Sequence, residues 1–363
     1  MGERQELFVR HKTVSVRCGS VAIGGGAPVS IQTMAKTDTR DVEATVTQVR
    51  EAVNAGADIV RLAVPDAEAA EAFREIRKRV RCPLVADIHF DYSLAISCLE
   101  SGADKVRVNP GTIGGLERLL RVAEKAMERG AAIRIGVNSG SVEEDILEKH
   151  GGPTPLAMVE SARRSLDVLQ AQGISGIVVS LKSSSVRDTI RSYALMARES
   201  TWPLHVGVTE AGPGLSGVVK SAAGISTLLA MGIGDTIRVS LTGSPVEEVS
   251  AGREILQAME VRRFGPEIIS CPTCGRTEVD LVSIAREVAR RLEEYDVPIK
   301  VAVMGCPVNG PGEAREADVG VACGRDGGIL FARGQVLGSV PQDQIVDALL
   351  RLVAAEAEKR RRE

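Results

Sequence analysis

One joint recurs through the first two thirds of the chain, and it restricts the fold more than any other feature. An amphipathic stretch runs to a glycine, and a β-branched run follows two or three residues later. The joint occurs as Asn54-Ala55-Gly56-Ala57-Asp58-Ile59-Val60-Arg61 and as Glu100-Ser101-Gly102-Ala103-Asp104-Lys105-Val106-Arg107. Glu128-Arg129-Gly130-Ala131-Ala132-Ile133-Arg134 and Met231-Gly232-Ile233-Gly234-Asp235-Thr236-Ile237-Arg238 repeat it, and Gln172-Gly173-Ile174-Ser175-Gly176-Ile177-Val178 follows it loosely. Glycine ends a helix because the left-handed position there carries no Cβ penalty. Helix, glycine and short strand in succession signal βα units on a parallel sheet. Strands are expected at Val29–Met34, Asp58–Ala63, Leu84–Ile88, Lys105–Asn109, Ala132–Val137, Gly176–Leu181, Leu204–Val208 and Thr236–Leu241. Eight such units within about 250 residues match a closed (β/α)8 TIM barrel. An open doubly wound sheet is the rival, but no glycine-rich dinucleotide fingerprint follows the first strand. The longest interval predicts an insertion near Glu143–Pro155, and Thr13–Arg17 with Ser20–Ile23 reads as a small hairpin whose turn holds a structural Cys18.

Past Val261 the pattern changes, so the barrel is assigned to residues 1–260 and a small α+β domain to residues 261–363. Strands are expected at Pro266–Ser270 and Ile299–Met304, around an amphipathic helix at Val279–Glu294. A hairpin of Asp318–Cys323 with Gly328–Ala332 and a closing helix at Gln342–Ala355 complete it. Two loops of this domain carry cysteine: Cys271-Pro272-Thr273-Cys274-Gly275-Arg276 and Gly305-Cys306-Pro307-Val308-Asn309-Gly310-Pro311-Gly312-Glu313. Three thiolates are the donor set that zinc or an iron–sulfur centre selects. Proline and glycine hold Cys306 and Glu313 on a stiff turn. Cys323 ends an apolar strand and reads as core, since free cysteine packs as a small hydrophobe. That leaves Glu313 as the better fourth ligand.

The expected strand ends are unusually basic: Arg61, Arg107, Arg134, Lys182 and Arg238, against Asp87 and Glu210 as obvious anions. Active sites of such barrels gather at the strand carboxyl ends. Excess buried cation is costly without a partner, and arginine pairs bidentately with phosphate oxygens, so a phosphorylated or diphosphorylated ligand is inferred. His89 with Asp87, Asn138 and Ser240 are polar residues at the same ends. Glu210, ahead of a Gly-Pro-Gly loop, is either a general acid or base or a charge balancer. His11, His150 and His205 read as structural. Lysine plus arginine total 45 against 48 acidic residues, a balance that argues against nucleic acid or an anionic membrane as partner. No apolar run reaches spanning length and no signal pattern opens the chain, so a cytoplasmic protein with reduced cysteines is expected.

Ile133-Arg134-Ile135-Gly136-Val137-Asn138-Ser139-Gly140-Ser141, Gly207-Val208-Thr209-Glu210-Ala211-Gly212 and the two cysteine loops together resemble the 4-hydroxy-3-methylbut-2-enyl diphosphate synthase family in its two-domain bacterial form. Thr112, where asparagine is expected, and the stretch Gln32–Thr39 depart from the family pattern. The resemblance implies a [4Fe–4S] cluster on Cys271, Cys274 and Cys306, with Glu313 on the fourth iron. It implies a cyclic diphosphate substrate held by Arg61, Arg107, Arg134, Asn138, Lys182 and Ser240, with Glu210 beside the reacting carbons and His89, Asp87 and Arg238 around it. Flavodoxin or ferredoxin as electron donor and a head-to-tail homodimer are implied as well. From the residues alone the rival is a phosphate-binding barrel lyase or synthase with a structural zinc module. A radical-SAM enzyme is disfavoured because C-x-x-x-C-x-x-C is absent.

Overall fold

The computed structural model describes residues 9–306 and 316–362. Its contacts divide the chain into two compact units between Arg262 and Arg263. In the first, a hairpin of β1 (Val16–Cys18) and β2 (Val21–Ile23) precedes eight parallel strands. These are β3 (Ser30–Met34), β4 (Ile59–Ala63), β5 (Leu84–Asp87), β6 (Lys105–Val108), β7 (Ala132–Asn138), β8 (Ile177–Lys182), β9 (His205–Val206) and β10 (Thr236–Ile237). Neighbouring strands pair from β8 back to β3, then β3 with β10 and β10 with β9. A parallel bridge between Val179 and Leu204 closes the ring, so the expected TIM barrel is what forms.

Each strand is followed by a helix: α1 (Val42–Asn54), α2 (Ala67–Arg79), α3 (Tyr92–Glu100), α4 (Leu116–Glu128), α5 (Glu144–His150) with α6 (Pro155–Ala171), α7 (Val186–Glu199), α8 (Gly214–Ala230) and α9 (Pro245–Ala258). The expected insertion after β7 holds a 3-10 turn at Ser139–Ser141 and α5, which Gly151 stops in the left-handed conformation. Several helices start on a side-chain cap at the rim: Asp41, Asp66, Asp91 and Ser185 each accept from a first-turn N–H, and Ser244 forms a capping box with Glu247. These caps pin the loops in which the strand ends open.

The barrel inverts the usual disposition of polarity. Residues alternate between faces along a strand. The outward positions Val60, Leu62, Val106, Val108, Ile133, Ile135, Ile177, Val179 and Leu181 are fully or almost fully buried under the helices. The inward positions include Arg61, Lys105, Arg107, Arg134 and Lys182, aligned by the register Lys105↔Ala132 and Arg107↔Arg134. At the floor the inside is apolar again: Ile59, Val85, Ala132 and Val178 pack against Val16, Cys18 and Ile23 of the hairpin. Cys18 thus lies on a strand rather than in the turn, wholly buried in this plug. The last two barrel strands are shorter than expected: regular pairing lapses after Val206 and Ile237, beyond which isolated contacts remain, among them Arg238 N to Val206 O and Thr209 N to Ser183 O.

The second unit is a five-stranded sheet of β11 (Glu267–Ser270), β12 (Lys300–Met304), β13 (Val319–Gly324), β14 (Gly327–Ala332) and β15 (Gln335–Val340), in that order. The first three are parallel and the last two antiparallel. Helices α10 (Leu281–Leu292) and α11 (Ile345–Arg362) bury Leu281, Val288, Ile345, Leu349 and Val353 against Val301, Val303 and Val321. Strand β15 was not foreseen. Its residues are almost all exposed, so no buried alternation marks it, and Gly338 interrupts its apolar residues. Helix α11 runs further than expected, and Gln342–Gln344 before it is a 3-10 turn. No helix among the described residues is long and apolar enough to cross a membrane.

Asp235, at the foot of β10, staples the amino-terminal segment to the barrel. Its carboxylate accepts from Arg10 Nη2 and Thr13 Oγ1, each at 3.0 Å, and from Leu204 N at 2.9 Å. Asp235→Ala leaves these donors unmatched and is expected to cost about 3 kcal/mol, read as a lowered denaturation midpoint with unchanged slope in urea.

Candidate active site

Six cations point into one closed ring of strands: Arg61, Lys105, Arg107, Arg134, Lys182 and Arg238, all buried. Two carboxylates answer them. Asp87 lies 3.3 Å from Arg107 Nη1 and 3.8 Å from Arg61 Nε. Glu248 lies 3.4 Å from Arg238 Nη2. Among the described residues, Arg134, Lys105 and Lys182 have no carboxylate within ion-pairing distance. Nε and Nη1 of Arg134 and Nζ of Lys105 are buried and without a hydrogen-bond partner among the described residues. Such groups cost several kcal/mol unless a ligand compensates them.

The electrostatics follow from that imbalance. Burial alone would raise the Asp87 pKa, but Arg61, the His89 ring, Arg107 and Arg134 outweigh it and hold this carboxyl far below the usual range. Burial and its guanidinium neighbours push Arg134 down. Burial, opposed by Cys18 and reinforced by Arg134 and Arg61, brings Lys105 to about 8. Two glycines make the crowding possible. A Cβ on Gly136 would sit 2.7 Å from Arg107 Nε, and one on Gly207 would sit 2.9 Å from Lys182 Nζ and 2.4 Å from the Arg238 carbonyl oxygen.

The residues singled out in the sequence fall around this ring at its carboxyl end. Arg107 also donates to the Gly136 carbonyl at 3.2 Å, and Arg61 reaches Met34 Sδ at 2.9 Å. His89 is exposed at the rim, 3.6 Å from Asp87 and 3.3 Å from Arg107 Nη1. Asn138 is half-buried at the end of β7, and Ser240 is half-buried past the end of β10. Glu210 is exposed, with no ion pair among the described residues, and its φ of 51° is unusual for a residue with a side chain. Strain of that kind collects at functional positions. The charge-balancing role falls instead to Asp87 and to Glu248, which sequence reasoning missed. Glu248 Oε1 accepts from Lys36 Nζ at 2.7 Å and from Leu241 N at 3.1 Å, while Oε2 accepts from Thr33 Oγ1 at 2.8 Å. In sequence it is indistinguishable from a first-turn helix acid beside Glu247. His205, read as structural, is wholly buried with Nε2 3.2 Å from Lys182 Nζ.

In the second unit, adjacent parallel strands deliver the cysteine loops side by side. Ser270 pairs with Val303, so Cys271 and Cys306 follow neighbouring strand ends. Gly305 N donates to Cys271 Sγ at 3.3 Å. All the cysteines are free thiols. Cys274 is exposed, and its pKa is lowered by bonds from the Arg276 backbone and, after a small opposing burial effect, from its side chain. No three potential metal ligands among the described residues converge on one point, and Glu313 lies outside those residues. The donor chemistry of three soft, unpaired thiols on abutting loops fits an iron–sulfur group. Cys323 is fully buried in the sheet's core, with burial lifting its thiol to about 11.

Comparison with known proteins then decides the family. The GcpE TIM-barrel domain matches residues 13–253, and the GcpE protein C-terminal domain matches residues 267–355. Proteins named 4-hydroxy-3-methylbut-2-en-1-yl diphosphate synthase (flavodoxin) are similar over nearly the whole chain. That of Nitratidesulfovibrio vulgaris is 54% identical over 339 residues, 93% of this chain and 88% of its own. That of Ruminiclostridium cellulolyticum is 51% identical over 350 residues, 96% of this chain and 99% of its own. The chain belongs to this synthase family. Among solved structures, dihydropteroate synthase of Yersinia pestis superimposes on 68% of the chain and 97% of its own at a TM-score of 0.46 and 11% identity, a likeness too loose to carry any argument.

The buried Asp87 site gives a pH prediction with a defined sign. A carboxyl whose folded pKa is depressed contributes stability above its unfolded pKa of about 4 and loses it as pH falls towards the folded value. Asp87→Asn is therefore expected to be destabilised by about 3 kcal/mol at neutral pH. The gap from the parent should narrow only below about pH 4, as followed by denaturant unfolding at stepped pH.

Proposed function

We propose that the chain performs the two-electron reductive opening of 2-C-methyl-D-erythritol 2,4-cyclodiphosphate, releasing one oxygen as water and forming 4-hydroxy-3-methylbut-2-enyl diphosphate. The observation that carries this reading is the surplus of positive charge inside the barrel, where Arg134 is buried and, among the described residues, lacks a carboxylate partner. A cyclic diphosphate supplies the missing negative charge at the right end of the strands. Arg61, Arg107, Arg134, Lys182 and Arg238 hold its phosphates; Asn138 and Ser240 complete the contact at the rim. Asp87 keeps Arg61 and Arg107 from repelling one another, and with His89 it fixes the Arg107 fork.

Glu210, held at the mouth by its left-handed backbone, stands over the carbons of the bound ring. It protonates the departing hydroxyl, which leaves as water. Cys271, Cys274 and Cys306, with Glu313 as an exchangeable oxygen ligand, hold a [4Fe–4S] cluster. When bound, that cluster supplies electrons one at a time and a Lewis acid for the departing oxygen. Flavodoxin, the donor in the relatives' names, fits that need, and ferredoxin is the alternative. The active assembly is a head-to-tail homodimer in which the cluster of one protomer serves the barrel of its partner, in the cytoplasm.

Air-free Cys306→Ser protein is expected to lose the brown iron–sulfur absorption. Glu210→Gln should keep iron, sulfide and stability at parental levels while turnover falls about a hundredfold or more. Parental protein that holds only zinc would overturn the reading in favour of a structural metal module. Mixing the two inactive variants tests the dimer: hybrid dimers place one intact cluster over one intact barrel, so activity should return, and its absence rules out the shared site.

A further inference from the structure

Lys182 and His205 form a pair whose surroundings are almost wholly cationic. Both are buried inside the barrel on adjacent strands, with Nζ and Nε2 3.2 Å apart. Arg61 faces them from β4, Lys105 and Arg107 from β6, Arg134 from β7 and Arg238 from β10. The anions of the neighbouring elements, Asp87 on β5 and Glu248 on α9, are engaged by Arg61 and Arg107 and by Arg238 and Lys36. From α7, Tyr193 donates its hydroxyl to the His205 carbonyl, which leaves the imidazole itself uncompensated, and His205 Nδ1 has no partner among the described residues. A buried ammonium among like charges, with an imidazole nitrogen as its partner, is poorly held. Burial first, then Arg134 and Arg238, push Lys182 well below its ordinary range, while burial and Lys182 do the same to His205. Two such groups titrate as a unit.

We propose that Lys182 rests as a neutral amine beside neutral His205 and takes one proton from solvent when the diphosphate binds. The inference rests on the diphosphate reading of the barrel mouth. Each phosphorus of a cyclic diphosphate carries one strongly acidic oxygen, so the ligand does not titrate near neutrality and the proton goes to the protein. The arriving negative charge reverses the local field, and the ammonium forms on the ligand that stabilises it. His205 acts as a positioning residue: it keeps the Lys182 nitrogen at the β9 side of the mouth, in the space that Gly207 leaves open.

The test is calorimetric titration of oxidised, air-free holoenzyme with the cyclic diphosphate, without reductant, in buffers of different ionisation enthalpy at one pH near about 7.5. The parent is expected to show buffer-dependent heat corresponding to uptake approaching one proton. Lys182→Arg keeps a cation that never deprotonates, and its uptake should vanish. Lys105→Met removes a like charge deep in the barrel, away from the mouth, and should move the uptake to higher pH. Parental binding with buffer-independent heat overturns the proposal while the diphosphate reading stands. Undiminished uptake in Lys182→Arg, or its loss at every pH in Lys105→Met, assigns the proton elsewhere and also overturns it. No binding by the parent removes the diphosphate reading and this inference together.

Discussion

The first unit depends on one electrostatic constraint: positive charge concentrated inside a closed parallel sheet that cannot move away from it. The outward layer of valine, isoleucine and leucine, buried under the helices, supplies the apolar burial that tolerates this. Asp87 and Glu248 relieve part of the repulsion, each bridging two basic groups. What remains uncompensated at Arg134 is stability withheld from the resting protein and recovered on binding an anion. Preorganised charge of that kind needs no rearrangement when the ligand arrives, so specificity and stability trade against one another within a single ring of side chains.

The second unit solves a different problem with the same device of parallel strand ends. Strands β11 and β12 lie side by side, so the loops that leave them are neighbours although roughly thirty residues separate them in the chain. Soft sulfur donors on those loops remain reduced and unpaired. Cys323, by contrast, lies inside the sheet's core and shows how burial alone turns a thiol into a packing group.

Much of this was legible in the chain. The glycine-stopped joints gave five of the eight barrel strands to within a few residues, because a helix stop and a β-branched run are local chemistry. The cations were legible for the same reason: arginine or lysine within a β-branched run is conspicuous. Their partners were not. Glu248 looks like an ordinary first-turn acid, and only the closing of the barrel brings it over Thr33 and Arg238. His205 looked structural because a lone histidine says nothing of what β8 will place opposite it. Strand β15 escaped because an exposed edge needs no buried face, and Cys18 was misplaced because nothing near it in sequence announces the barrel floor.

The hairpin that carries Cys18 has a consequence for traffic. By stopping the amino-terminal end of the ring with Val16, Cys18 and Ile23, it makes the barrel a cul-de-sac. Whatever enters at the strand carboxyl ends must depart by the same doorway, including any small by-product. Product and fresh reactant therefore exclude one another, and successive cycles queue at a single threshold.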